Sequence, residues 1–266
     1  MSKIYMYRNN KTLSIETYNK MASIVESLGY EIVSELTSDT ELIACIGGDG
    51  TLLSMLHRLD FPEIPILGVN TGHLGFFQDA SPDDIEDILT KFKNNEYKLQ
   101  TIRPIEAKIT TATETYTRTG INELLIRGPF SHVSQYEIKI GDTKIQDLSG
   151  DGVLVSTPVG STAYNYSLDG SIVAPDLNVL QLTPVAPMNT NAYRCFHSSI
   201  ILPADQRITV TGIGRSANGT VVISFDGRTH EFNRVSKIEI TQSDTTISLI
   251  RFQNYDYWKK LTTKLL

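Results

Sequence analysis

The run ACIGGDGTLL, residues 44 to 53, sets an acid among three glycines between two apolar stretches. Glycine-rich turns between a strand and a helix hold phosphate on backbone N–H groups. Gly47, Gly48 and Gly50 let the backbone approach a ligand closely, and Asp49 puts a carboxylate at the lip of such a cradle. The Walker pattern is absent, since no GKS or GKT follows. A plain turn in which Asp49 caps the next helix is the competing reading.

Two further stretches break the local pattern. NTGHLGFF, residues 70 to 77, follows the next apolar run; Gly72 and Gly75 allow close backbone approach, and Phe76 or Phe77 offers a ring to a base, unless both are core. SGDGVLVSTPVGSTAYNYSLDG, residues 149 to 170, interrupts a β-rich half with hydroxyls and glycines at a density no core strand needs. Such a run suits ribose hydroxyls, amides and phosphates. Asn122 and Glu123 stand between apolar runs in INELLI, and a buried polar pair needs partners. The five histidines are scattered and HExxH is absent, so no metal ligands are identifiable.

The first hundred residues position these groups through alternating strands and helices. KIYMYR, ELIACIG and IPILGVN are strands, the last two without polar alternation, as in a parallel sheet buried on both faces. Residues 12–28 carry Tyr18, Met21, Val25 and Leu28 on one helical face, with Gly29 as the stop. Residues 51–59 form a short helix, and 81–97 a longer one with Ser81 as N-cap and Pro82 in its first turn. The GGDG turn then lies at the carboxyl end of a parallel strand, where open α/β sheets bind ligands. After about residue 100, Thr-, Ile- and Val-rich segments alternate with period two between Gly, Asn and Asp turns, the pattern of an antiparallel sandwich. The fold class is therefore α/β plus all-β: a Rossmann-like α/β domain over 1–100, a β-rich domain over 101–250, and an amphipathic tail over 251–266 that packs back on the first.

The 266 residues carry a net charge of −6 with no basic cluster, which excludes a nucleic-acid partner. No apolar run approaches the about 20 residues that span a bilayer, and MSKIYMYRNN lacks the apolar core of a secretory signal. Cys45 and Cys195 lie beside apolar residues with no CxxC pair, as buried thiols of a reducing, cytoplasmic protein do.

Together these pieces resemble the NAD kinase family. GGDGT, NTGHLGF, Asn122–Glu123 and GDGVLVSTPVGSTAYNYS occur in that family's order and spacing, and the likeness covers nearly the whole chain. Diacylglycerol kinases, sphingosine kinases and phosphofructokinases carry similar GGDG turns; the TP-x-GSTAY segment singles out NAD kinases. The resemblance implies transfer of a phosphoryl group from ATP or polyphosphate, with Mg or another divalent metal, to the adenosine 2′-hydroxyl of NAD. It implies Asp49 as the catalytic carboxylate, with Gly47, Gly48, Gly50 and Thr51 on the ATP phosphates. It also implies NAD contacts from Asp49, Gly50, Gly72, Phe76, Asn122, Glu123, Asp151, Ser161, Thr162, Ala163, Tyr164, Asn165, Ser167 and Ala186. Many members have arginine at the place of Ser149, itself a candidate NAD contact, and glycine at the place of Asp169. The family forms homo-oligomers, so a homotetramer or homodimer is expected, with NAD and ATP as partners and no nucleic acid or membrane. The alternatives are a lipid or sugar kinase sharing only the GGDGT turn, and a non-catalytic dinucleotide sensor.

Overall fold

The five residues of the apolar run LIACI are all fully buried within one strand, because helices cover both faces of the sheet around it. The computed structural model describes residues 2–129, 133–189 and 194–266, and every candidate site residue falls within them. The chain divides into two units, Met1–Ile102 together with Thr245–Leu266, and Arg103–Asp244.

The first unit opens with β1 (Lys3–Arg8), α1 (Thr12–Ser27), β2 (Glu31–Val33) and β3 (Thr40–Gly47). It continues with α2 (Asp49–Arg58), β4 (Ile66–Asn70), α3 (Ile85–Lys93) and β5 (Lys98–Ile102). Strands β6 (Ile105–Thr111), β7 (Thr115–Gly120), β8 (Glu123–Arg127), β9 (Ser134–Ile140), β10 (Thr143–Gly150) and β11 (Gly152–Ser156) open the second unit. A 3-10 turn (Val159–Thr162) and α4 (Tyr164–Ser167) lead to β12 (Val179–Val185), β13 (Ile200–Pro203) and β14 (Ile208–Gly212). The unit closes with β15 (Val221–Phe225), β16 (Arg228–Phe232) and β17 (Val235–Gln242), and the chain ends with β18 (Ile247–Arg251) and α5 (Tyr257–Leu265).

The first sheet has the order β2-β1-β3-β4-β18-β5, parallel except where β18 meets β5. Its order reverses between β1 and β3, so the loops at the carboxyl ends of β1, β3 and β4 form a crevice. Ile4, Met6, Leu42, Ala44, Ile46, Leu67 and Val69 form one face, covered by Met21 and Val25 of α1 and by Ile85, Ile88, Leu89 and Phe92 of α3. Alternation sends Ile43, Cys45 and Ile66 to the other face, and α2 follows β3 with Leu52, Met55 and Leu56 buried. In the second unit, sheets β10-β9-β14-β17-β6-β7 and β13-β12-β11-β8-β15-β16 are antiparallel and enclose one core, from Ile109, Ile138 and Ile240 to Leu124, Val155 and Ile223.

Five features differ from the sequence expectation. Helix α2 begins at Asp49 rather than at 51. Helix α3 begins at Ile85, because the Asp84 N–H donates to the Ser81 carbonyl in a turn. The Ser81 hydroxyl bonds the Asp84 carboxylate (2.7 Å) instead of capping a helix. Gly152–Ser156, grouped by sequence with an interrupting loop, is a buried central strand; a Cβ at Gly152 would collide with the Ile126 carbonyl across the ladder. ISLIR, grouped by sequence with the β-rich half, pairs with β4 and β5 as β18, because its Leu249 and Ile250 complete the first sheet. Cys195 is half-buried, unlike the fully buried Cys45. Among the described residues no helix is long and apolar enough to cross a membrane.

The position of β18 makes the first unit dependent on the end of the chain. Burying Ile247, Leu249 and Ile250 is worth about 1.5–3 kcal/mol each, a large part of the about 5–15 kcal/mol that holds a domain folded. A chain ending at Asp244 should therefore lose the cooperative unfolding of residues 2–102, read by thermal melting and limited proteolysis. A protease-resistant 2–102 fragment in that variant would contradict the assignment.

Candidate active site

The β3 ladder ends at Gly47, and Gly48 caps α2 from an extended conformation. The N–H groups of Thr51 and Leu52 both turn back to the Gly48 carbonyl (2.9 and 3.2 Å), which tightens the first turn. Asp49 lies in that turn, where the helix dipole favours a negative charge. A cleft of about 600 Å³ opens here, lined by Asn9 and Lys11 after β1, by Gly48, Asp49, Gly50 and Thr51 after β3, and by Thr71 to Gly75 after β4. That volume suits a small-molecule ligand. Gly47 is not part of the lining: a Cβ there would strike Thr51, whose hydroxyl is held by the Asn9 amide (3.0 Å). Gly47 thus shapes the turn, while the cleft surface belongs to Gly48, Gly50 and Thr51.

The Asp49 carboxylate is fixed from three directions. The Phe76 N–H donates to Oδ2 and the Phe77 N–H to Oδ1, each at 3.1 Å, and Lys264 Nζ of α5 lies 2.9 Å from Oδ2. A carboxylate has about four acceptor sites, so a second lone pair on Oδ1 is left for a hydroxyl. A Cβ at Gly75 would collide with that oxygen, which explains the glycine. The loop behind is clamped in turn: Arg251 Nη2 and Nη1 donate to the Phe76 and Phe77 carbonyls, both at 2.9 Å, and Nε donates to Gln100 Oε1 (2.7 Å). Arg251 is 6% exposed and lies 4.0 Å over the Tyr255 ring. Burial pulls its pKa down, yet a guanidinium keeps its charge. Phe76 and Phe77 are both buried, and the Phe76 ring is bordered by Tyr257 (5.9 Å) and the Lys264 ammonium (4.5 Å). Gly72 lines the cleft, its N–H on Asn70 Oδ1 (3.2 Å).

In the second unit, the turn after β11 is tied to the start of β8. Thr157 donates its hydroxyl to the Ile121 carbonyl (2.6 Å) and its N–H to the Asn122 carbonyl (2.9 Å). Gly160 packs so closely on the Asn122 carbonyl that no Cβ would fit. Asp226, in a hairpin turn with Gly227, accepts the N–H groups of Ile121 (2.9 Å) and Asn122 (2.7 Å). Glu123 is buried with Oε2 unpartnered. Its pKa is raised to about 7, first by burial and then by the Asp226 charge, against a smaller opposing hydrogen bond from the Tyr164 amide.

Ser161 and Asn165, expected as ligand contacts, direct their side chains inward. Ser161 Oγ donates to the Pro158 carbonyl (2.6 Å) and accepts from the Val173 N–H (3.0 Å). Asn165 Oδ1 accepts from Thr183 (2.7 Å), and its amide bonds the Ser161 and Ser171 carbonyls. These two brace the segment so that Thr162, Ala163, Tyr164 and Ser167 keep surface exposure. Asp169 has φ +58, a left-handed conformation that aspartate tolerates in place of glycine. Ala186 has φ +44, and its carbonyl lies against Gly150, between Ser149 and Asp151. Ser149 is buried in β10 and Asp151 is exposed. Among the described residues no cluster of three or more His, Cys, Asp or Glu could hold a metal ion.

Sequence reasoning did not single out Arg251, Lys264 or Asp226. An arginine inside the apolar run ISLIRF was a usable signal, since a buried charge needs partners; FDG read only as a turn.

Residues 4–97 match the family model of the ATP-NAD kinase N-terminal domain, and residues 121–252 that of the C-terminal domain. An NAD kinase of Finegoldia magna is 32% identical over 266 residues, which are 99% of this chain and 97% of that protein. An NAD kinase of Lactococcus lactis subsp. cremoris is 28% identical over 268 residues, again 99% and 97%. Yeast NADH kinase, solved in complex with NADH, shares the fold with a TM-score of 0.85 at 18% identity, over 100% of this chain and 87% of that one. An NAD kinase of Archaeoglobus fulgidus, solved with ATP, has a TM-score of 0.77 at 21% identity, over 98% of each chain. An N-terminal α/β domain followed by antiparallel β-sheets is the fold they have in common with this chain.

The raised pKa of Glu123 has a sign that can be tested. The folded protein holds this proton up to about pH 7, whereas an ordinary carboxyl releases it near 4.5. Its stabilising contribution is complete below pH 4.5 and is lost as pH rises through 7, by up to about 3 kcal/mol. Glu123→Gln, neutral throughout, should melt several degrees above the wild type at pH 8 and close to it at pH 4.5. Parallel melting curves across that range would contradict the assignment.

Proposed function

This chain belongs to the NAD kinase family, and from that premise we propose how its residues divide the work of moving a phosphoryl group from ATP to NAD. It is an enzyme that phosphorylates NAD to NADP. The observation that carries the assignment of roles is the Asp49 carboxylate, held by two backbone amides in the cleft wall with its side chain 23% exposed.

The 2′-hydroxyl of the NAD adenosine docks on Asp49 Oδ1. A bond forms between its oxygen and the γ-phosphorus while the bond from that phosphorus to the β,γ-bridging oxygen breaks. The electron pair leaves on ADP, and the hydroxyl proton passes to Asp49 late in the step. The free N–H groups of the α2 first turn, at Asp49 and Gly50, and the Thr51 hydroxyl take the donor phosphates. Magnesium or another divalent metal would be held by the donor phosphates and water, beside Asp49 and Thr51, and would supply charge neutralisation there. Polyphosphate, with the same terminal chemistry, is the alternative donor.

Gly72 and Phe76 in the first unit, and Asn122, Glu123, Ser149, Asp151, Thr162, Ala163, Tyr164, Ser167 and Ala186 in the β-rich unit, contact the dinucleotide. The unpartnered Glu123 Oε2 supports this, since a ligand hydroxyl or amino group satisfies it. Ser161 and Asn165 act through the segment they brace. Two unpaired cysteines suit a cytoplasmic location, where both substrates are available. By family resemblance the protein is a homotetramer or homodimer.

The test compares wild type with Asp49→Asn, given NAD, ATP and Mg²⁺, and reads NADP with an NADP-specific dehydrogenase. The wild type should make NADP, and the variant should turn over about 10³-fold more slowly with NAD affinity largely kept. Near-normal turnover in the variant would sink the role of Asp49.

A further inference from the structure

Three cations of the C-terminal segment reach Asp49 or the loop that holds it, and they are committed differently. Arg251 engages the Phe76 and Phe77 carbonyls and Gln100. Lys260 donates to the Gln78 carbonyl and pairs with Asp79 (3.5 Å). Both therefore hold backbone or buried groups. Lys264 instead stands in the cleft wall, with Nζ 2.9 Å from Asp49 Oδ2 and its side chain 33% exposed. It occupies the last turn of α5, where a cation is favoured by the helix dipole, and its ammonium rests 4.5 Å from the Phe76 ring centroid.

The cleft poses an electrostatic problem. A carboxylate and a transferring phosphoryl group must come together there, and like charges repel most in a site that excludes water. A metal ion that arrives with the donor is one counter-charge, but it comes and goes with each turnover. Lys264 is a counter-charge attached to the chain and already seated on the carboxylate. An ammonium has three N–H donors, of which Asp49 takes one.

We propose that Lys264 is a further catalytic residue of this site: its ammonium holds Asp49 Oδ2 with one N–H and the transferring phosphoryl group with another. The proposal rests on the kinase reading above. Lys264 gives up no proton in the step; it lowers the repulsion between the two anions and keeps Oδ1 turned to the acceptor hydroxyl. Of the described cleft-lining residues, Lys11 is the other lysine or arginine, and its backbone N–H is bound to Asn9 Oδ1 (2.9 Å).

The test uses Lys264→Met, which keeps the stem and removes the charge, and Lys264→Ala, which leaves room for a small amine. Melting temperature is read first, and a partly exposed side chain near the C-terminus should move it little. Lys264→Met should lower kcat for NADP formation by about 100-fold. It should also weaken binding of a fluorescent ATP analogue, measured without NAD, by about 10-fold. NAD affinity should stay within about two-fold, and added ethylammonium should restore part of the turnover of Lys264→Ala. A purely structural tether would not respond to the free amine. Donor affinity and kcat both unchanged in Lys264→Met, or loss of NAD affinity equal to the loss of kcat, would overturn the proposal. Wild-type protein that makes no NADP would sink the kinase reading instead, and donor affinity would still decide Lys264.

Discussion

The site depends on one short relay of hydrogen bonds. Asp49 accepts the N–H groups of Phe76 and Phe77, and the carbonyls of the same two residues accept from Arg251. Bonds in which one partner is charged are stronger than neutral ones, and here the peptide between Phe76 and Phe77 carries a charged partner at each end. Each bond polarises the peptide for the other. Remove the arginine and two buried carbonyls lose their donors; remove the aspartate and two amides lose their acceptor. The carboxylate is thereby held in one orientation before any substrate arrives, which is the condition for an effective acceptor of a hydroxyl proton.

This relay explains the path of the chain. Arg251 reaches Phe76 and Phe77 because β18 lies beside β4, and β4 feeds the loop that carries them. The chain therefore returns to the first sheet after the whole second unit, Arg103 to Asp244, and its last helix adds Lys260 and Lys264 to the same loop and carboxylate. The second unit uses a related device with different partners. Asp226 gathers the N–H groups of Ile121 and Asn122, and Thr157 and Gly160 close on the carbonyl side of the same residues. Glu123 is left desolvated, and its proton is retained to near neutrality.

Much of this was legible from sequence because it depends on local rules. The strand over LIACI, the βα turn at GGDG and the period-two alternation of the β-rich half follow from burial, glycine conformation and pleating. The GSTAY segment was expected to contact ligand through resemblance; Ser161 and Asn165 face inward, and nothing in their residue types distinguishes a brace from a ligand contact. Ser81 followed by Pro82 carries the pattern of a helix start, yet a tertiary turn to Asp84 took its place. Arg251, Lys264 and Asp226 were hidden for another reason. Each acts on a partner about 100 to 215 positions away, and single-sequence patterns report only on near neighbours.

The central claim is that Arg251 acts through Asp49, and a double-mutant cycle on kcat for NADP formation tests it most directly. Arg251→Met should cost at least about 30-fold in the wild-type background and less than about three-fold in the Asp49→Asn background, with all variants folded at the assay temperature. Equal factors in the two backgrounds would contradict it, because they would mean that the arginine supports the fold without aiming the carboxylate.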